Sequence, residues 1–233
     1  MKKLGVYSFL AVFAFGFQFC LSPMKAYANS VTMTFTGVGP QDNNSGGVYT
    51  YPYDFTVTPT TGPSENLSLM CISFNQEIYL QTPNEYWTAN VVTAGSLGAM
   101  YEEEAYLYTQ AVANVNNNTI SGAANWADWA LGDSTTLAGQ ESFLEGYIGG
   151  TELSDAESDL SYVEGLSSTT LAGYADYLVY EPVNGTEVPL SDGLPQTFVG
   201  GPSPTPEPSS LILLGSGLLA CAGALYSRKR HTA

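Results

Sequence analysis

Between Lys25 and Arg228 this chain has no lysine, arginine or histidine. All six basic residues sit in the two end segments, as Lys2, Lys3, Lys25, Arg228, Lys229 and Arg230, and the single histidine is His231. The 22 acidic residues lie between them, so the stretch from Asn29 to Pro208 carries a formal charge of about −22, against −16 for the whole chain. Such a body cannot displace the counterions of a nucleic acid, nor be drawn to anionic lipid head groups. Ser-His-Asp and Cys-His catalysis lack their base, a Schiff base lacks its amine, a zinc site lacks imidazole, and no Gly-rich phosphate cradle with its Lys is present. Carboxylate chemistry and binding of divalent cations stay open.

Cysteine is nearly as scarce. Of three cysteines, Cys20 and Cys221 lie in the apolar end segments, which leaves the body with Cys71 alone and no internal disulfide. A domain without disulfides must rest on its core, and about 180 residues suffice for one. Cys71 falls in an apolar, strand-like run from Leu67 to Phe74. Such a setting predicts a buried, unreactive thiol.

The two ends read as addresses. Met1-Lys2-Lys3 is a charged start, Leu4 to Leu21 an apolar run, and Ala26-Tyr27-Ala28 a small-x-small pattern before Asn29. Together they make residues 1–28 a secretory signal peptide, for the Sec export machinery. The other end runs from a Pro-rich spacer through Pro206-Glu207-Pro208, an apolar stretch from Leu211 to Tyr226, and the basic cluster Arg228-Lys229-Arg230. Proline keeps the spacer out of a helix, the apolar stretch can enter a bilayer, and the cations stay on the cytoplasmic side. At ~1.5 Å per residue, the 16 residues from Leu211 to Tyr226 span about 24 Å of a hydrocarbon core roughly 30 Å thick, which suits a removable anchor better than a permanent one.

These features resemble the PEP-CTERM sorting domain of Gram-negative bacteria, whose pattern is a Pro-Glu-Pro triplet, a Leu/Gly-rich helix and a terminal Arg/Lys cluster. The resemblance implies recognition by exosortase, cleavage near Pro206-Glu207-Pro208, and transient anchoring in the inner membrane with Arg228, Lys229 and Arg230 as the cytoplasmic stop. The cell surface or extracellular matrix is then the destination.

Between the ends the hydrophobic period changes once. Residues 31 to 93 alternate apolar and polar, as in Val31-Thr32-Met33-Thr34-Phe35-Thr36, which predicts antiparallel strands, with further ones at Leu67 to Phe74, Glu77 to Gln81 and Tyr86 to Thr93. From about residue 97 the period becomes helical: Met100, Glu104, Leu107, Ala111 and Val115 share a face. Further helices are expected over Ala123 to Leu131, closed by Gly132, over Leu137 to Ile148, and from Ser154, with Glu157 completing a capping box, to Gly165. Tyr174 to Glu181 reads as a returning strand. The expectation is an α+β fold: one exported domain at 29–185, with a β half and a helical half. A Pro/Gly-rich spacer at 186–205 and the sorting signal with its membrane helix at 206–230 follow.

Two constellations bear on chemistry. Asp155-Ala156-Glu157-Ser158-Asp159 has the alternating acids of a calcium loop but Leu160 and Leu166 where such a loop needs Gly and Glu, so a surface helix explains it better. No cofactor is called for, and calcium binding by so acidic a body stays open without a site to name. The second constellation is Cys71 on a strand, the acidic and aromatic helix from Tyr101 to Gln110, and the run Asn125-Trp126-Ala127-Asp128-Trp129. It resembles exported PEP-CTERM proteins with a Cys-x-x-Phe strand and a Trp-rich helix, and distantly the thioester domains of bacterial adhesins, in which a Cys condenses with a Gln. Here the matching position is Asn125, one methylene shorter, with Gln110 as another partner for Cys71 as a candidate reactive thiol. Trp126, Trp129 and Ala130 also have the spacing of a core face.

The expected role is that of a non-enzymatic structural or adhesive protein of the surface or extracellular matrix, with extracellular polysaccharide as a partner class. The alternatives are a carbohydrate-binding or thioester-type adhesin and, after these, a glycoside hydrolase built on a carboxylate pair, for which 22 acids and many aromatic rings leave no specific motif.

Overall fold

Alternation in the first half produces strands with one face inward. In β1 (Ser30–Val38), Val31, Met33 and Phe35 are buried while Thr32 and Thr34 are half-exposed, and β4 (Tyr53–Pro59) repeats the pattern with Tyr53, Phe55 and Val57. Antiparallel register sets Phe35 opposite Phe55 and Met33 opposite Val57. The computed structural model describes residues 30–39, 44–76, 85–188 and 195–202, all within one compact unit. The signal peptide, the expected strand at Glu77 to Gln81, the sorting signal and its membrane helix lie outside the described residues. No described helix is long and apolar enough to cross a membrane.

The strands close into a six-stranded antiparallel barrel in the order β1-β4-β5-β8-β7-β6, where β5 is Glu65–Cys71, β6 Tyr86–Thr93, β7 Tyr177–Pro182 and β8 Phe198–Pro202. Side chains fill so narrow a barrel. Phe55 is the hub, with ring centroids 5.5 Å from Phe35, 5.6 Å from Trp87 and 4.7 Å from Phe198. A short hairpin of β2 (Asn44–Ser45) and β3 (Val48–Tyr49) stands apart from the barrel. Its turn needs Gly46, with φ +57°, because a Cβ there would sit 2.6 Å from the Trp126 ring.

β8 lies inside the stretch expected to be spacer. Its sequence, Phe198-Val199-Gly200-Gly201-Pro202, has the composition of a turn, yet Val199 pairs with both Met70 of β5 and Val179 of β7. Pairing on both edges outweighs weak strand propensity. Gly200 is also required by space, since a Cβ would lie 2.6 Å from Leu69 Cδ2. The strands of the first half thus form an open sheet until the last strand of the body seals it.

The helices α1 (Ala94–Leu97), α2 (Ala99–Ala113), α3 (Asn118–Asp133), α4 (Leu137–Tyr147), α5 (Gly150–Glu164) and α6 (Ser168–Leu171) fill the interval between β6 and β7, and a 3₁₀ turn, Ala172–Tyr174, leads into β7. The centre is α3, in which every residue from Ser121 to Leu131 is buried. A helix buried on all sides belongs to the core, and its alanines let α2 and α5 pack against it. It starts earlier than the expected Ala123, capped by Asn117, whose Oδ1 accepts from Ile120 N, and it runs through Gly132. The capping box at Ser154 is corrected as well: α5 begins at Gly150 after an extended Gly149, so Ser154 and Glu157 lie within it. Glu152 is the acid in its first turn, where it faces the positive end of the helix dipole.

Candidate functional site

At one end of the barrel, residues 72–76 leave β5 and are tied to the start of β8. Ile72 N donates to Thr197 O at 3.0 Å, and Thr197 N donates to Ser73 Oγ at 2.8 Å. Across from them stand the first turns of α2 and the last turn of α3. Between lies a cleft of about 300 Å³, lined by Phe74, Tyr101 and Trp129 as rings and by Gln76, Glu104 and Asp133 as polar groups. Phe74 is fixed by an aromatic cluster, with centroids 5.1 Å from Trp129 and 4.9 Å from Tyr147.

Beneath the rim the site is short of partners. Glu104 is 2% exposed, and its Oε2 has no hydrogen bond; Gln76 Oε1 is also buried without one. Asp128, one turn before Gly132 on α3, is fully buried with neither carboxylate oxygen bonded. Burial drives the pKa of both acids well above the usual carboxylate range, and the charge of Glu104 adds to the effect on Asp128, as that of Glu103 does on Glu104. No cation in the body neutralises them, so burial shifts both toward the protonated form. Among the described residues no group of three or more His, Cys, Asp or Glu is placed to hold a metal ion.

Cys71 adjoins this pair from the barrel side. It is fully buried, and burial pushes its thiol up to about 12, with hydrogen bonding at Ser73 opposing the shift and the Asp128 charge adding to it. The nucleophile in sulfur chemistry is the thiolate, and this environment disfavours it. Asn125 does meet Cys71, at the backbone: Nδ2 donates to the Cys71 carbonyl at 2.8 Å, while Oδ1 accepts from Tyr51 N at 2.9 Å. Gln110, on α2, donates from Nε2 to Thr109 Oγ1. Neither amide is hydrogen-bonded to the sulfur.

The sequence held a signal for Glu104, an acid on the apolar stripe of its helix between Met100 and Leu107. For Asp128 the signal was weaker, because the flanking Trp-Ala-Asp-Trp-Ala pattern is equally that of a half-exposed helix. The sorting residues Pro206, Glu207, Pro208, Arg228, Lys229 and Arg230 lie outside the described residues.

Residues 204–230 match the family model of the PEP-CTERM protein-sorting motif. They contain both the Pro-Glu-Pro triplet and the basic cluster. No curated protein and no solved structure matches the chain. The motif is one recognised by exosortase, and it indicates an exported protein processed at the membrane on its way to the cell surface.

Proposed function

We propose that the exported body is a non-enzymatic component of the surface or extracellular matrix, which holds a polysaccharide chain in the cleft between β5, β8, α2 and α3. The observation that carries this is the pairing of Tyr101 and Phe74 rings with polar groups that have no partner within the protein, Gln76 Oε1 and Glu104 Oε2. Rings offer the apolar face of a sugar a surface to stack on, and unpaired donors and acceptors fix its hydroxyls. A body of charge about −22 favours neutral or cationic polymers over anionic ones. The engagement of the Asn125 amide with two backbone groups, and the protonated state of the Cys71 thiol, favour non-covalent adhesion over a thioester.

Titration of the exported protein with neutral, amino-sugar and uronate polysaccharides tests the proposal. Binding of the first two, weakened in Tyr101→Ala by about 0.5–1.5 kcal/mol, is the expected result. Binding that Tyr101→Ala and Asp133→Asn leave unchanged would move the ligand elsewhere on the molecule. One observation favours hydrolysis as a second function of the same cleft: Glu104 lines it as a buried acid whose pKa burial raises, the direction in which a glycosidase proton donor is tuned. Release of reducing ends that Glu104→Gln abolishes would establish it.

A further inference from the structure

Six tyrosine rings form a continuous series that runs from the helices to the barrel. Tyr162 of α5 lies 5.5 Å from Tyr106 of α2, Tyr106 lies 5.5 Å from Tyr174, and Tyr174 lies 5.7 Å from Tyr177 of β7. The series continues through Tyr108, 6.2 Å from Tyr177, to the buried Tyr51, 5.8 Å further. Tyr162 is the exposed end, with 58% of its surface open to solvent. Its ring is near-parallel to that of Tyr106, with 25° between the planes, whereas Tyr106 and Tyr174 meet edge to face at 88°.

The same body lacks the residues of other protein cross-links. With one cysteine it can form no internal disulfide, and with no lysine it can form no isopeptide bond. Phenols are what remain, and two of them are stacked at the surface.

We propose that Tyr106 and Tyr162 are a site of oxidative cross-linking, which joins α2 to α5 through dityrosine when the exported protein meets hydrogen peroxide and a haem peroxidase. Each phenol gives up one hydrogen atom, its electron to the oxidant and its proton to water, and hydrogen peroxide is reduced to two molecules of water. The two radicals couple at the ring carbons ortho to the hydroxyls. Loss of the two ortho protons to solvent, with their return to the phenolic oxygens, restores both aromatic rings, so one carbon–carbon bond replaces two carbon–hydrogen bonds. The near-parallel pair presents ring face to ring face for this coupling, and the exposure of Tyr162 lets the oxidant reach it. The four tyrosines behind the pair offer an oxidised ring further in a route by which the radical reaches the surface.

The test treats dilute exported protein with peroxidase and hydrogen peroxide, then digests it with a Glu-specific protease, because a body without Lys or Arg gives trypsin nothing to cut. The expected product is a peptide pair joined at Tyr106 and Tyr162, short of two hydrogen atoms, with the blue fluorescence of dityrosine. Tyr162→Phe keeps the stacked ring and the fold but removes the phenol, and it should abolish that product. Tyr147→Phe should not, since Tyr147, also exposed, has Trp126, Phe74 and Phe143 as its ring neighbours. Dityrosine formed at undiminished yield in Tyr162→Phe, or its absence from folded wild-type protein after oxidation, would overturn the proposal.

Discussion

The side-chain amide of Asn125 closes a bridge between α3 and the barrel by donating to the carbonyl of Cys71 at 2.8 Å. Its oxygen holds Tyr51 N at 2.9 Å, so one buried residue ties the central helix to the end of β5 and to the connection that leads into β4. The geometry explains why a shorter amide occupies a position where the distant resemblance to thioester domains suggests glutamine. An amide that must reach main chain on both sides is spoken for, and the Cys71 sulfur is left to pack and to bond Ser73 O at 3.5 Å.

Asn125→Ala should therefore destabilise the protein by about 1–3 kcal/mol for each backbone group left unpaired. Asn125→Asp should be worse, since it keeps the acceptor for Tyr51, loses the donor to Cys71 and buries a charge. Urea unfolding measures both. Thiol labelling gives a second readout: native wild-type protein should leave Cys71 unlabelled, and labelling should track global unfolding. Rapid labelling of the folded wild type would show that the sulfur is reachable, and would revive its candidacy as a reactive thiol.

How much of this was visible beforehand depends on how local the information is. Period-two alternation in Val31 to Phe35 and period-3.6 spacing from Met100 to Ala111 are properties of neighbouring residues, and β1 and α2 form there, although α2 stops at Ala113, short of the expected Val115. Closure of the barrel is not local. It depends on β8, whose two glycines and proline read as a spacer, and whose strand conformation comes from partners more than a hundred residues away at Met70 and Cys71. The acid pair lies between these cases. Glu104 stood out on an apolar stripe, but its meeting with Asp128 is set by how α2 packs on α3.

That pair makes stability depend on pH in an unusual direction. Burial raises the pKa of Asp128 above 3.8 and of Glu104 above 4.5, so between those values and the folded ones the native state binds more protons than the unfolded chain. Their contribution is fully present below about pH 4 and is lost as pH rises through the folded values. Melting temperature should accordingly fall as pH rises above the ordinary carboxylate range, the reverse of a protein whose carboxylates are paired. Asp128→Asn cannot ionise and should flatten the curve, with about 2–4 °C gained at the alkaline end for each kcal/mol recovered. Melting curves of variant and wild type that run parallel across the range would show that Asp128 is not the group responsible.

Export supplies a prediction that is independent of the folded body. Recognition of residues 204–230 by exosortase should leave a mature protein without the apolar stretch from Leu211 onward. Replacement of Pro206-Glu207-Pro208 by alanines removes the rings that keep this segment out of a helix, and with them the triplet at which the resemblance to PEP-CTERM domains places cleavage. The uncut chain should then stay in the membrane fraction, held by the 16 apolar residues and by Arg228, Lys229 and Arg230 on the cytoplasmic side. Intact mass of the wild-type and variant proteins distinguishes the forms, and fractionation places them. A 16-residue span is short for a core of roughly 30 Å, so the retained variant should also be released by mild detergent more readily than a protein with a full-length helix. Wild-type protein that keeps its carboxyl end through Ala233 would show instead that the segment serves as a simple anchor.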